Sequence, residues 1–278
     1  MRAWVVVLLA TAGLTACNRA EPRPPRAEPQ PAIAFDGADY ASDDAKRAHG
    51  ERLTFVLGCR GCHGKELKGQ LWDDDPSEYG VMWASNLTRA VPAMSDAQLA
   101  ALLTRGVHPK RADLWVMPSE LFQHLSRPDL EALLAYLRSV RPQGELSPDP
   151  RPGPVALRQI KSGEIRNAAA MVRERKSVAP VDLGAAHGLG RYITRLTCAE
   201  CHGPELKGTP GDTPDLITAG GYTRAEFETL MNKGVLPNNR RFKNPLMGEV
   251  ARNRFSRLTR HERDALYAYL KARAEQPQ

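Results

Sequence analysis

Two pentads constrain this chain more than anything else in it: Cys59-Arg60-Gly61-Cys62-His63 and Cys198-Ala199-Glu200-Cys201-His202. Each reads C-x-x-C-H, the attachment pattern for a covalently bound haem. Thiols at this spacing can each form a thioether to one of the two vinyl groups on a porphyrin edge. The His that follows then lies under the iron and supplies an imidazole nitrogen. Two other chemistries use paired cysteines. Zinc ribbons carry C-x-x-C pairs, but zinc does not require a His directly after the second Cys. A redox-active dithiol would need a βαβ pattern around it. Covalent haem accounts for all five positions, twice.

Five cysteines are present, and four belong to the pentads. The fifth, Cys17, closes an N-terminal stretch with a basic residue, Arg2, and an apolar core, Trp4 to Ala10. That stretch is too short to span a membrane and reads as a secretory signal. Its end, Leu14-Thr15-Ala16-Cys17, resembles the lipobox of bacterial lipoproteins, which implies an acylated Cys17 at the mature N-terminus and a stable membrane anchor. An ordinary signal peptide that contains a Cys is the alternative. Asn18 does not resemble an inner-membrane retention signal, which points to the outer membrane. The net charge of +7 is a mild basic excess suited to acidic partners or anionic headgroups. No basic run interleaves with aromatics, so nucleic acid is not an expected partner.

Residues 18–35 are rich in Pro, Glu, Arg and Gln and read as a stiff tether. Helical patterns follow, in duplicate. Ala48-His49-Gly50 opens a segment leading to Cys59, and Ala186-His187-Gly188 opens one leading to Cys198. Ser95-Asp96-Ala97-Gln98 and Thr223-Arg224-Ala225-Glu226 are capping boxes ahead of apolar runs that end at Gly106 and Gly234. Ser126 and Thr259 start two further helices, with Tyr136-Leu137 and Tyr269-Leu270 at the same offset. The chain therefore divides into a signal (1–17), a tether (18–35), one unit over 36–143, a linker over 144–180 and a second unit over 181–275. Residues 155–176 of the linker have the pattern of an amphipathic helix.

A His-ligated haem iron has one axial position left. Met117 lies between Gly106 and Ser126, and Met247 between Gly234 and Thr259; both read as loop methionines. A thioether is a soft ligand that stabilises ferrous iron and raises the potential. Core filling is the ordinary role of Met, and the duplicated placing favours ligation here. Met82, Met94 and Met231 lack a matched loop partner, and Met171 belongs to the linker. His108 and His124 compete for the first iron, and His261 sits at a helix start.

With helix, pentad, Met loop and a C-terminal helix containing Tyr-Leu, each unit resembles a class I cytochrome c domain. Asn86-Leu87-Thr88 and Pro214-Asp215-Leu216 stand where the family approaches the haem propionates. The whole chain is similar to tandem dihaem cytochromes c, including cytochrome subunits of periplasmic dehydrogenases. The resemblance implies an all-α fold of two tandem domains and two haem c groups. It implies covalent attachment at Cys59, Cys62, Cys198 and Cys201, with axial pairs His63/Met117 and His202/Met247. Expected partners are redox proteins, with the chain lipid-anchored on the periplasmic face. The segment Gln70 to Ala84 is an insertion in the first unit, able to cover the haem or to face a partner. The competing class is a dihaem enzyme of the cytochrome c peroxidase or thiosulfate dehydrogenase type. It would need an open iron site with His108 or Glu120 as acid/base group. A gas sensor lacks an output module here.

Overall fold

Helix α1 (Asp43–Val56) starts where the Ser42 hydroxyl accepts the Ala45 N–H and two aspartates fill the first turn, a placing the helix dipole favours. It delivers the first pentad, whose Cys59–Cys62 forms one helical turn, α2. After the strands β1 (Gln70–Asp75) and β2 (Gly80–Ala84) come α3 (Leu87–Ala90), α4 (Asp96–Arg105), α5 (Ser119–Phe122) and α6 (Arg127–Ser139). The linker contributes β3 (Arg151–Pro152), α7 (Pro154–Ser162) and α8 (Ala168–Glu174). The second half runs through α9 (Gly188–Leu196), α10 (Ala199–His202), α11 (Arg224–Lys233), α12 (Leu246–Asn253) and α13 (Arg260–Ala274). This computed structural model describes residues 33–240, 242 and 244–276. The apolar leader, Cys17 and most of the tether lie outside the described residues.

The fold is mainly helical, as expected, with two departures. The insertion is a β-hairpin: β1 and β2 pair antiparallel, and β3 joins as a third strand. Val81, Met82 and Trp83 suit a pleated surface, and Gly80 has φ +100 where a Cβ would meet the Arg151 carbonyl oxygen at 2.1 Å. The linker helix expected over 155–176 is two helices. Gly163 ends α7 in the left-handed region at φ +83, and Asn167 caps α8 afresh.

The two halves repeat at the level of single bonds. In each, the helix before the pentad crosses the last helix at a glycine. A Cβ on Gly50 would lie 2.0 Å from the Ala132 oxygen and 2.8 Å from the Tyr136 Cβ. One on Gly190 would lie 2.2 Å from the Ala265 oxygen and 2.5 Å from the Tyr269 Cβ. This corrects the alignment read from the sequence: the partner of Gly50 is Gly190, not Gly188. The cause is one extra residue in the first half, where left-handed Gly58 (φ +82) stands between α1 and Cys59. Both capping boxes at Ser95 and Thr223 are formed, with left-handed Gly106 and Gly234 closing the helices.

The halves grip each other by exchanging a carboxylate. Asp129 and Glu262 occupy the third position of α6 and α13, and each is fully buried. Arg52 of α1 donates to both oxygens of Glu262 (2.8 and 2.9 Å). At the equivalent place on α9, the Tyr192 hydroxyl donates to Asp129 (2.7 Å). His49 Nε2 lies 2.7 Å from the other Asp129 oxygen. The Phe35 and Asp36 backbone N–H groups donate to Asp129 and Glu262 respectively (3.1 and 2.9 Å). Buried carboxylates persist only when satisfied in this way.

Candidate functional site

The first pentad opens on a cavity of about 680 Å³. Cys59, Cys62, His63 and Met117 all line it, between apolar walls that include Leu99, Leu103, Phe122 and Leu137. The insertion forms part of the same wall through Trp72, Met82 and Trp83, and the linker through Leu157 and Ile160 of α7. Trp72 reaches this position because the strand register slips between Leu71 and Asp73. The extra residue of such a bulge is turned out of the ladder. Its indole N–H donates to the Cys62 carbonyl (3.1 Å).

His63 is aimed by its backbone surroundings. Its Nδ1 lies 2.8 Å from the Ser85 carbonyl oxygen. Only an N–H can meet a carbonyl there, so Nε2 keeps its lone pair. Burial lowers the His63 pKa, against the pull of Ser85, and favours the neutral ring that a metal needs. His202 has the same arrangement, with Nδ1 2.8 Å from the Pro214 carbonyl oxygen. Ser85 and Pro214 immediately precede Asn86 and Asp215. Asn86 is absent from the wall of the first cavity; both side chains cap the next helical turns, accepting from the Thr88 and Ile217 N–H groups.

A closed circuit of backbone bonds surrounds each histidine. The Gly69 and Gly208 N–H groups donate to the His63 and His202 carbonyls (2.9 and 2.8 Å). The Leu87 and Leu216 N–H groups donate to Leu67 and Leu206 (2.8 and 2.9 Å). Leu67 and Leu206 are both left-handed, at φ 60 and 63, and both are buried. A non-glycine residue is uncommon there, and the pair recurs at the same step of both halves.

The cytochrome c family model matches residues 189–274. It covers the chain from α9 to the end of α13, including the second pentad and Met247. Covalently bound haem c and haem-based electron transfer follow for this cytochrome c domain. No curated protein matches the chain.

The side chains fit a haem. Among the described residues, no group of three or more His, Cys, Asp or Glu converges as a metal cage, so the zinc reading lacks its ligands. The Arg111 Nε is buried without a partner beside the first cavity, whose wall includes Arg111. The Arg111 Nη1 pairs with Asp149 on the same wall at 3.6 Å, and the free Nε suits an anionic group such as a propionate. Met117 follows Val116, a β-branched residue held at φ 65. Met247 differs from expectation: it lies in the first turn of α12, half-buried against the core, rather than in a loop. Helix α12 forms there because Pro245 and Leu246 start it and its Gly248 fits against left-handed Gly234.

The competitors separate. His108 lines the first cavity, but the Lys110 and Arg111 N–H groups both donate to its Nδ1 (3.1 Å each). Its Nε2 therefore carries the proton and offers an iron no lone pair. Glu120 is absent from the cavity wall; it pairs with Arg175 at 3.4 Å, and burial raises its pKa. His261 is exposed and bonds Asp36 (2.9 Å). Sequence reasoning missed Ser85, Arg111 and Glu200, all of which line the first cavity. Ser85 acts through a carbonyl that any residue could supply. No local pattern marks the other two. Among the described residues, no helix is long and apolar enough to cross a membrane.

Proposed function

We propose that this chain is a lipid-anchored periplasmic dihaem cytochrome c that relays electrons between redox partner proteins. The observation that carries the reading is the repeated circuit around the two histidines: the same carbonyl on Nδ1, the same left-handed leucine, the same glycine N–H on the His carbonyl. On this reading residues 36–143 form a second cytochrome c domain ahead of the one at 181–275. Cys59 and Cys62 anchor one porphyrin and Cys198 and Cys201 the other. His63 with Met117 and His202 with Met247 fill the axial positions. Cys17 carries the lipid, and residues 18–35 hold the folded part off the membrane, with the outer membrane favoured.

Bound haem supplies an iron that alternates between ferrous and ferric states. The chain's own contribution is to hold that iron still and dry. Ser85 and Pro214 lock the imidazole planes, so little rearrangement accompanies electron transfer. The hairpin and α7 exclude water from the first site. His108, held with its proton on Nε2, leaves thioethers as the soft donors of that cavity wall, where Met117 stands with Met82 and Met94; of the three, Met117 has the loop placing repeated in the other half.

The test is to produce the chain in a host able to mature c-type haem, then to weigh it and record its spectrum. Two porphyrin mass increments are expected, with a weak far-red band from methionine–iron bonding at both haems and no carbon monoxide uptake by the native ferrous protein. A mass with one increment, or a high-spin haem that turns over peroxide, would replace this reading.

A further inference from the structure

Arg254 follows α12 in the second half, yet its side chain crosses into the first. Its Nε–H donates to the Val56 carbonyl at the end of α1 (3.1 Å), and its Nη1–H donates to Glu200 (2.7 Å). Val56 leads into the first pentad; Glu200 lies inside the second. Gly58 makes the room, since a Cβ there would stand 2.8 Å from the guanidinium carbon. Among the described residues, Glu200 in turn is the one second-half residue on the wall of the first cavity. The Arg254 side chain is only 11 % exposed, and its Nη2 is buried with no partner. Leaving a buried charged donor unsatisfied is costly, so this arrangement is not accounted for by packing alone.

We propose that Arg254 and Glu200 form a charged positioning pair between the two haem sites, and that the pair sets the potentials of both haems together. The inference rests on the dihaem reading above. Oxidation adds a positive charge at each iron. A fixed cation nearby opposes that step and raises the potential; a fixed anion lowers it. The Arg254 cation is nearly buried and weakly screened, so its field reaches both sites, while Glu200, with its side chain 29 % exposed, acts from the rim of the first cavity and is screened more. One guanidinium thus holds both the residue that ends α1 ahead of the first pentad and a residue inside the second, which no residue of a single separated domain could do.

The test is a potentiometric titration of the full haem-loaded chain and three variants, each first weighed for its porphyrins. Arg254→Gln is expected to keep both haems and to move both midpoints negative. Arg254→Lys, which keeps the charge, holds them near wild type. Glu200→Gln moves both midpoints positive. If Arg254→Gln disturbs the fold, Glu200→Gln carries the test, because Arg254 keeps its bond to Val56 and an amide oxygen to meet. Midpoints that stay put, or a shift at one haem alone, in chains weighing two porphyrins would overturn this inference and leave the dihaem reading standing. A wild-type chain weighing fewer than two porphyrins would overturn both.

Discussion

On the dihaem reading proposed above, Met117 is the residue on which the character of the first iron turns. It lines the cavity that holds Cys59, Cys62 and His63, behind a Val116 strained at φ 65. Met117→Ala should leave the haem attached, lower its potential and open the iron to carbon monoxide. An unchanged absorption spectrum would remove Met117 from the axial position. His124 gives a second test at this scale, with no haem chemistry in it. Burial, helped by the Arg195 cation, pushes its pKa down to about 4. The unfolded chain takes up that proton near pH 6.5, so between these values the unfolded state binds more protons. Stability is therefore full above pH 6.5 and falls as pH drops toward 4. Thermal midpoints measured across that window should fall less steeply in His124→Gln than in wild type.

At the scale of elements, the two glycine crossings decide how closely the helices approach. Gly50→Ala and Gly190→Ala would each drive a methyl into a backbone oxygen of the facing helix, which cannot swing aside as a side chain can. Either change should destabilise by about 3 kcal/mol or more, toward the upper end of overpacking costs, read as a loss of denaturant midpoint. Gly61→Ala is the control: a Cβ there meets nothing within 4 Å. The helices themselves were legible, because cap, apolar period and closing glycine all lie within one segment. The hairpin was not. Gln70 to Ala84 pairs with itself and with Arg151–Pro152 far along the chain, and no local period records that third strand. The same holds for α7, whose place on the cavity wall depends on where β3 docks.

At the scale of the whole molecule, the described residues form one compact unit, joined by the exchanged carboxylates. Arg52→Ala would leave the fully buried Glu262 without its guanidinium. Breaking such a pair from one side costs about 3–5 kcal/mol, so unfolding should become markedly easier. Arg52→Lys should recover part of the loss, since Lys keeps the charge but not the two-pronged geometry. Calorimetry reads both. A loss below about 1 kcal/mol would mean that water reaches Glu262 in place of the guanidinium.

The sequence by itself carries the signals on which the proposed chemistry rests. Cys-x-x-Cys-His is a covalent pattern whose spacing must match a porphyrin edge, and capping boxes and left-handed glycines act over a few residues. Those signals were complete in one dimension, and so was the duplication that repeats them. Only the tertiary structure decided which glycine of α9 matches Gly50, that Asp129 and Glu262 serve the opposite half, that Met247 sits on a helix, and that Arg254 lies between the pentads. Each of these depends on which atoms meet across long stretches of chain. Burial then turns an ordinary surface residue type, such as Asp, Glu or Arg, into a fixed interior charge.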